Sequence, residues 1–305
     1  MRVLYLGTPE FAVVSLHALL DAGYDVCGVF TQPDRPAGRG QRLHAPPVKD
    51  LAAAHGLPVF QPEKLRAEEN RAIVENLNPD VIVAAAYGQL VPTWMLRLSR
   101  LFPVNIHTSL LPRWRGAAPV ERAILNGDPV GGVTTMVMDE SLDAGGILLS
   151  EEVPISIETT AGELTETLAN VGARLLIRTL AGLRSGGLTP TPQDETLVTW
   201  APKITKAEAA ISWELPAVDI HNRIRALNPR PGAVIDFHGE KISLWRSLPV
   251  EGTADIPAGT VIGVAGNALR IACGGGTAID IFEMQRPGRK RINGREFASG
   301  ARLLM

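Results

Sequence analysis

Arg2-Val3-Leu4-Tyr5-Leu6-Gly7-Thr8-Pro9-Glu10 opens the chain, and its reading decides the fold. From Arg2 to Leu6 the apolar residues run on without the in-out alternation of a half-wet strand. That is the pattern of a strand covered on both faces in a parallel sheet. Gly7 to Glu10 turns the chain, Phe11 to Ala22 fits an amphipathic helix closed by Gly23, and Tyr24 to Thr31 reads as a second strand. Strand, turn, helix, strand is the opening of an α/β fold with a doubly wound, mostly parallel sheet. The turn is not Gly-x-Gly-x-x-Gly, so a nicotinamide cofactor is not supported.

The same alternation continues outward. Helices are expected over Val48 to His55, Glu63 to Asn76, Ala117 to Asn126 and Ala161 to Leu183. The last has core spacing at Leu164, Leu168, Val171 and Leu175. Strands are expected over Pro58 to Gln61, Asp80 to Ala86, Leu101 to His107, Gly132 to Asp139 and Ile147 to Ile155. Ser185 to Thr199 is rich in Gly, Thr and Pro and reads as a connector. Past Asn228-Pro229-Arg230-Pro231-Gly232 the pattern becomes five short strands: Ala233 to His238, Lys241 to Ser247, Gly259 to Val264, Ala268 to Cys273 and Ala278 to Met284. These fit a small C-terminal β-barrel of the oligonucleotide-binding (OB-like) kind. The resulting division is a first domain over 1–188, a linker over 189–209 and the barrel over 210–305.

A chain of 305 residues allows about two domains, and 45% hydrophobic residues supply their cores. A net charge of −2 carries no overall nucleic-acid signal. The charge is uneven, however. Residues 1–209 hold 18 Lys and Arg against 23 Asp and Glu, whereas residues 210–305 hold 12 against 9. A basic C-terminal part hints at a polyanionic partner. Cys27 and Cys273 lie far apart, which argues against a disulfide framework or a Cys-based zinc site and for a reducing cytoplasm. No histidines are spaced as metal ligands, so no metal is expected. The opening apolar run is too short for a signal segment, and no stretch approaches the roughly 20 apolar residues of a membrane-spanning helix. A monomer without membrane association is expected.

The chemistry concentrates in Asn105-Ile106-His107-Thr108-Ser109-Leu110-Leu111-Pro112-Arg113-Trp114-Arg115-Gly116. Residues i and i+2 of a strand share a face, so Asn105 and His107 project together. A carboxamide donor beside a group that titrates near neutrality suits the stabilisation of a developing oxyanion. Asp143, in the glycine-rich turn Leu142-Asp143-Ala144-Gly145-Gly146, supplies a carboxylate. Tyr87-Gly88-Gln89-Leu90 follows a strongly apolar strand, and ligands of doubly wound sheets bind beyond such strand ends. Arg35, Arg39 and Arg42 lie on a Gly- and Pro-rich loop from Gln32 to Pro47 that suits phosphate contact. Arg286, Arg289, Lys290, Arg291 and Arg295 form a basic cluster near the C-terminal end.

The run Asn105 to Pro119, with Leu142-Asp143-Ala144-Gly145, resembles the signature of the folate-dependent formyltransferases, and the resemblance covers nearly the whole chain. It implies a Rossmann-like N-terminal domain and 10-formyltetrahydrofolate as the formyl-donor co-substrate. It implies Asn105, His107 and Asp143 as the catalytic trio. It also implies Ser109, Leu110, Leu111 and Pro112 as a folate-contacting turn, with the pterin against Tyr87 and Gly88. Gly146 departs from the family pattern, since many relatives carry a polar residue there. Within the family, Thr31 to Gly40 and the region Trp200 to Lys206 resemble the branch that acts on charged methionyl-initiator tRNA. The implied tRNA contacts are Arg35, Arg39, Arg42, Arg289, Lys290 and Arg291. Two readings compete: a formyltransferase for an amino-sugar nucleotide, and a non-catalytic tRNA-binding protein.

Overall fold

The structure is a computed structural model that describes residues 1–37, 42–252, 255–301 and 303. Arg39 therefore lies outside the described residues. The chain divides into two compact units. The first comprises residues 1–116, 130–154 and 165–201, the second residues 117–129, 155–164 and 202–305.

In chain order the elements up to the active-site motif are β1 (Arg2–Gly7), α1 (Glu10–Asp21), β2 (Asp25–Phe30), β3 (Arg35–Ala37), β4 (Arg42–His44), α2 (Pro47–Ala54), β5 (Val59–Phe60), α3 (Glu69–Leu77), β6 (Val81–Ala85), α4 (Thr93–Leu96), β7 (Val104–His107) and β8 (Arg115–Gly116). There follow α5 (Pro119–Leu125), β9 (Val130–Val137), β10 (Ile147–Pro154), α6 (Ala161–Ser185) and β11 (Trp200–Ala201). The first unit is built on a seven-stranded sheet in the order β10-β9-β7-β6-β1-β2-β5. From β7 to β5 every pairing is parallel, and β9 and β10 extend the sheet antiparallel. Val3 to Leu6 and Val81 to Ala85 are buried throughout, as their unbroken apolar runs require. Fully burying each such Leu or Val is worth roughly 1.5–3 kcal/mol. On α6, Gly172 leaves no room for a side chain, because a Cβ there would meet Ile106 Cγ2 at 3.0 Å and Val133 Cγ1 at 3.3 Å. The small residue lets the helix close on β7 and β9, directly beneath the strand that carries the motif. Thr135 of β9 and Thr179 of α6 share a buried hydrogen bond of 2.8 Å on the same face.

Two stretches of the first unit depart from the sequence expectation in an instructive way. The Gln32 to Pro47 stretch, expected to be structureless, carries the short antiparallel pair β3–β4. Its base is pinned by Lys49 Nζ, which donates to both Asp34 carboxylate oxygens at 2.9 and 2.8 Å, and by Gln61, which donates to Asp34 Oδ1 at 2.7 Å. Helix α3 begins at Glu69 rather than Glu63. The Asn70 side chain donates to the Lys64 and Leu65 carbonyls, and Gln89 Oε1 takes the Leu65 N–H, so residues 64 and 65 spend backbone groups on side-chain partners.

The second unit contains α7 (Ala217–Ala226), β12 (Ala233–Phe237), β13 (Glu240–Glu251), β14 (Val261–Ala265), β15 (Ala268–Cys273), β16 (Thr277–Gln285), β17 (Arg291–Asn293) and α8 (Gly294–Gly300). Its antiparallel sheet runs β12-β13-β16-β15-β14. All five expected strands are present, and β17 adds a sixth by pairing with β16 beyond the point where β15 ends. Ile220 and Ile224 of α7, Phe297 of α8 and alternate residues of the strands share one core. Among the described residues no helix is long and apolar enough to cross a membrane. Among them, too, no group of three or more His, Cys, Asp and Glu side chains could hold a metal ion.

Candidate active site

The site lies in the first unit, at the carboxyl end of β7. Parallel pairing to β6 and antiparallel pairing to β9 fix this strand on both edges. Ile106 faces the core, whereas Asn105 and His107 share the opposite face. His107 Nε2 lies 2.9 Å from the Trp114 carbonyl oxygen. A carbonyl only accepts, so Nε2 carries the hydrogen and Nδ1 is the nitrogen left to gain or lose a proton. Nδ1 lies 3.7 Å from Asp143 Oδ2, with side-chain exposures of 6% for the histidine and 13% for the aspartate. The imidazole and carboxylate are thus brought together, nearly dry, from segments 36 positions apart in the sequence. Asn105 is half-buried, and among the described residues its carboxamide has no hydrogen-bond partner. A donor in that condition, on the face that holds His107, is available to a bound oxygen.

The turn after β7 is held by its own polar groups. Ser109 Oγ donates to the Arg113 carbonyl at 2.6 Å. The buried Thr134 hydroxyl of β9 donates to the Ser109 carbonyl at 2.7 Å and accepts from the Leu111 N–H at 3.2 Å. The four residues expected to contact folate differ in exposure. Ser109 and Leu111 are buried and shape the turn, while Leu110 and Pro112 keep half-buried apolar surface. Tyr87 belongs to the core of the first unit. Its ring is 3% exposed and packs with Leu4, Leu6, Ile82 and Met95, and burial pushes its hydroxyl pKa up to about 12. Beyond it, Gly88 is exposed at φ +91 and the Leu90 side chain is 79% exposed.

Asp143 sits at φ +52, a left-handed conformation that costs a non-glycine residue stability unless its surroundings impose it. Here they do. The Gly116 N–H donates to Asp143 Oδ2 at 3.0 Å. Gln193 Nε2 donates to the carbonyls of Asp143 at 2.9 Å and Gly145 at 2.7 Å. Strand β8, which carries Gly116, pairs in parallel with β11, and the Trp114 N–H and Arg115 N–H donate to Thr199 Oγ1 and the Thr199 carbonyl. Arg115 is 3% exposed and is neutralised by Glu195, with Nη2 2.7 Å from Oε1. These supports come from the stretch expected to be a connector, which also pairs with the start of β10 through Thr191 and Ile147. Sequence reading misses Gln193, Glu195 and Thr199. The one local signal is Pro190-Thr191-Pro192-Gln193, prolines that stiffen a segment otherwise read as slack.

The basic residues divide between the units. Arg35 of β3 pairs with Glu63 at 2.8 Å, and Arg42 of β4 is exposed. In the second unit Arg289 and Lys290 are exposed on the turn between β16 and β17. Arg291 lies over the Trp245 ring at 4.2 Å and pairs with Glu283 at 3.3 Å.

Known proteins resemble the chain along nearly its whole length. A family model described as formyl transferase matches residues 1–180, and one described as formyl transferase, C-terminal domain, matches residues 203–302. The chain is 46% identical over 302 residues to the methionyl-tRNA formyltransferase of Symbiobacterium thermophilum, covering 98% of this chain and 92% of that one. It is 47% identical over 307 residues to the methionyl-tRNA formyltransferase of Methylibium petroleiphilum, covering 97% and 96%. Among solved structures, an N-formyltransferase from Helicobacter canadensis in complex with folinic acid and dTDP-3-aminofucose aligns with a TM-score of 0.71 at 18% identity, covering 94% of this chain and 99% of that one. HypX from Aquifex aeolicus, in complex with tetrahydrofolic acid, aligns with a TM-score of 0.63 at 19% identity; the chain spans 48% of its length. At such identities the two structures speak for the fold alone.

Proposed function

The chain belongs to the formyl transferase family, and from that premise we propose that it transfers the formyl group of 10-formyltetrahydrofolate to the α-amino group of methionyl-initiator tRNA, giving N-formylmethionyl-tRNA. The observation that carries the reading is identity of 46% to a methionyl-tRNA formyltransferase across both units, over 98% of this chain. The site fits the donor's chemistry. Leu110 and Pro112 offer apolar surface and Gly88 offers open backbone for a flat heterocycle, and Asn105 shares the strand face of His107 with a carboxamide that has no hydrogen-bond partner among the described residues. The folate derivative supplies the formyl group, and the residues do the rest.

The attacking amine forms the new bond to the formyl carbon, so the enzyme needs no nucleophile of its own. Asn105 donates to the oxygen on which negative charge develops, and His107 donates to the same oxygen through Nδ1, the only ring nitrogen free to do so. Asp143 stabilises the imidazolium and receives the amine proton. The bond from the formyl carbon to the donor nitrogen then breaks, and that nitrogen takes the proton from Asp143, so atoms and charge balance. The acceptor tRNA contacts Arg35, Arg39 and Arg42 in the first unit and Arg289, Lys290 and Arg291 in the second. Residues 210–305 act as the tRNA-binding domain of a cytoplasmic monomer.

The deciding experiment offers 10-formyltetrahydrofolate together with either charged initiator tRNA or a dTDP-amino sugar and follows formylated product. Product on the tRNA alone is expected. Product on the sugar alone would transfer the assignment to the competing acceptor, and none on either would leave a binding protein.

A further inference from the structure

We infer that Gln193 is a positioning residue for this formyl transfer, setting the Asp143 carboxylate against His107; the inference rests on the function proposed above. Gln193 is tied at both ends. Arg115 Nε and Nη2 donate to its Oε1 at 3.0 and 2.8 Å. A guanidinium has no acceptor, so the carboxamide can face Arg115 only with its oxygen. Its NH2 group is thereby turned toward the loop, where its two hydrogens meet the carbonyls of Asp143 and Gly145. Those carbonyls flank Ala144, so one side chain fixes the backbone on both sides of the residue after the carboxylate.

The same arginine closes the arrangement from the other direction. Its backbone belongs to β8, whose next residue, Gly116, donates to Asp143 Oδ2. Arg115 thus sets both holds on Asp143, one through its main chain and one through Gln193. Glu195 completes the chain of contacts by accepting from Nη1 at 3.1 Å and Nη2 at 2.7 Å, which supplies the counter-charge a buried guanidinium requires. Gln193 acts on the reaction only through Asp143.

The test compares Gln193→Glu and Gln193→Ala with the wild-type chain. Glutamate keeps the size and an oxygen for Arg115 but has no N–H for the two carbonyls. In both variants kcat should fall about 10²-fold, the usual effect of displacing a reacting group by an ångström. KM for the folate donor and for charged tRNA should stay within about threefold, because the binding surfaces are untouched. A second readout needs no substrate: exchange of the Gly116 amide hydrogen should quicken about tenfold or more once the Asp143 carboxylate is released. A Gln193→Glu chain with wild-type kcat and wild-type Gly116 exchange overturns the inference. So does a loss of activity in which KM rises and Gly116 exchange stays unchanged. If Gln193→Ala does not fold, Gln193→Glu carries the test. A wild-type chain that fails to formylate methionyl-initiator tRNA refutes the proposed function instead, and the Gly116 exchange then decides the positioning claim by itself.

Discussion

Replacing Gly116 by alanine places a Cβ 2.8 Å from the Ala201 carbonyl oxygen. That oxygen belongs to the backbone of β11, in register with β8, so it cannot swing aside as a side chain would. Restoring ordinary contact requires β8 and β11 to part by about 0.6 Å. Residue 116 also holds φ +124, where an L side chain is strained by about 1–3 kcal/mol. Together these effects should cost about 2–4 kcal/mol, less than a typical domain's whole stability, so the chain still folds and melts roughly 5–15 °C lower. The effect on turnover follows from the 3.0 Å bond between the Gly116 N–H and Asp143 Oδ2. A shift of about 0.6 Å carries that pair beyond hydrogen-bond range and should lower kcat about 10–10²-fold. Gly186→Ala is the control, since residue 186 has φ +70 and a Cβ added there would meet nothing within 4 Å. It should cost about 1–2 kcal/mol from strain alone, with kcat unchanged. Thermal melts and single-turnover formylation on both variants decide the matter. Were Gly116→Ala to match Gly186→Ala in melting temperature and in rate, the reasoning from the β8–β11 approach would be refuted.

Further outcomes are expected. Asn105→Ala should lower turnover about 10²–10³-fold, the effect of removing one oxyanion donor, while the melting temperature stays within a few degrees; a rate near wild type would remove Asn105 from the mechanism. Burial holds the His221 pKa below its ordinary 6.5, with Nε2 bonded to the Ile157 carbonyl and Nδ1 to Ser247 Oγ, so the folded second unit prefers the neutral ring. The unfolded chain binds that proton more readily, so stability should be full above pH 6.5 and fall as pH drops through the lowered value. Urea unfolding against pH should show this, and His221→Gln should flatten the fall. Glu208 adds to acid sensitivity at lower pH, because the Arg122 hydrogen bond first, with the Thr205 bonds, lowers its pKa to about 2. Replacing Arg289 and Lys290 by alanine should weaken tRNA binding and reduce the slope of log affinity against log salt by about 1 per residue; an unchanged slope would show that neither touches phosphate.

Much of this molecule can be read from local pattern, and each failure has a physical cause. The buried parallel strands betray themselves by unbroken apolar runs, as at Val81 to Ala85, and Asn105 and His107 share a face because a strand alternates. Helix α3 starts late because Gln89 and Asn70 take backbone groups of residues 64 and 65 that an earlier start would use. Helix α8 is announced by its Asn293–Glu296 capping box but is too short for periodicity to reveal. Tyr87 reads as a ligand contact because it follows a strand end, yet its ring turns inward to fill the core. The supports of Asp143 escape sequence reading for a different reason. Arg115 and Gln193 are 78 positions apart, and nothing within either segment encodes their meeting.

The pairing of β8 with β11 fixes how much polypeptide must exist before chemistry is possible. A fragment ending at residue 188 would contain Asn105, His107 and Asp143 but neither Gln193 nor Glu195, stranding the Arg115 charge in its interior. During synthesis the catalytic face therefore stays unfinished until Ala201 has left the ribosome, and any attempt to excise a minimal enzyme should place its cut beyond that residue.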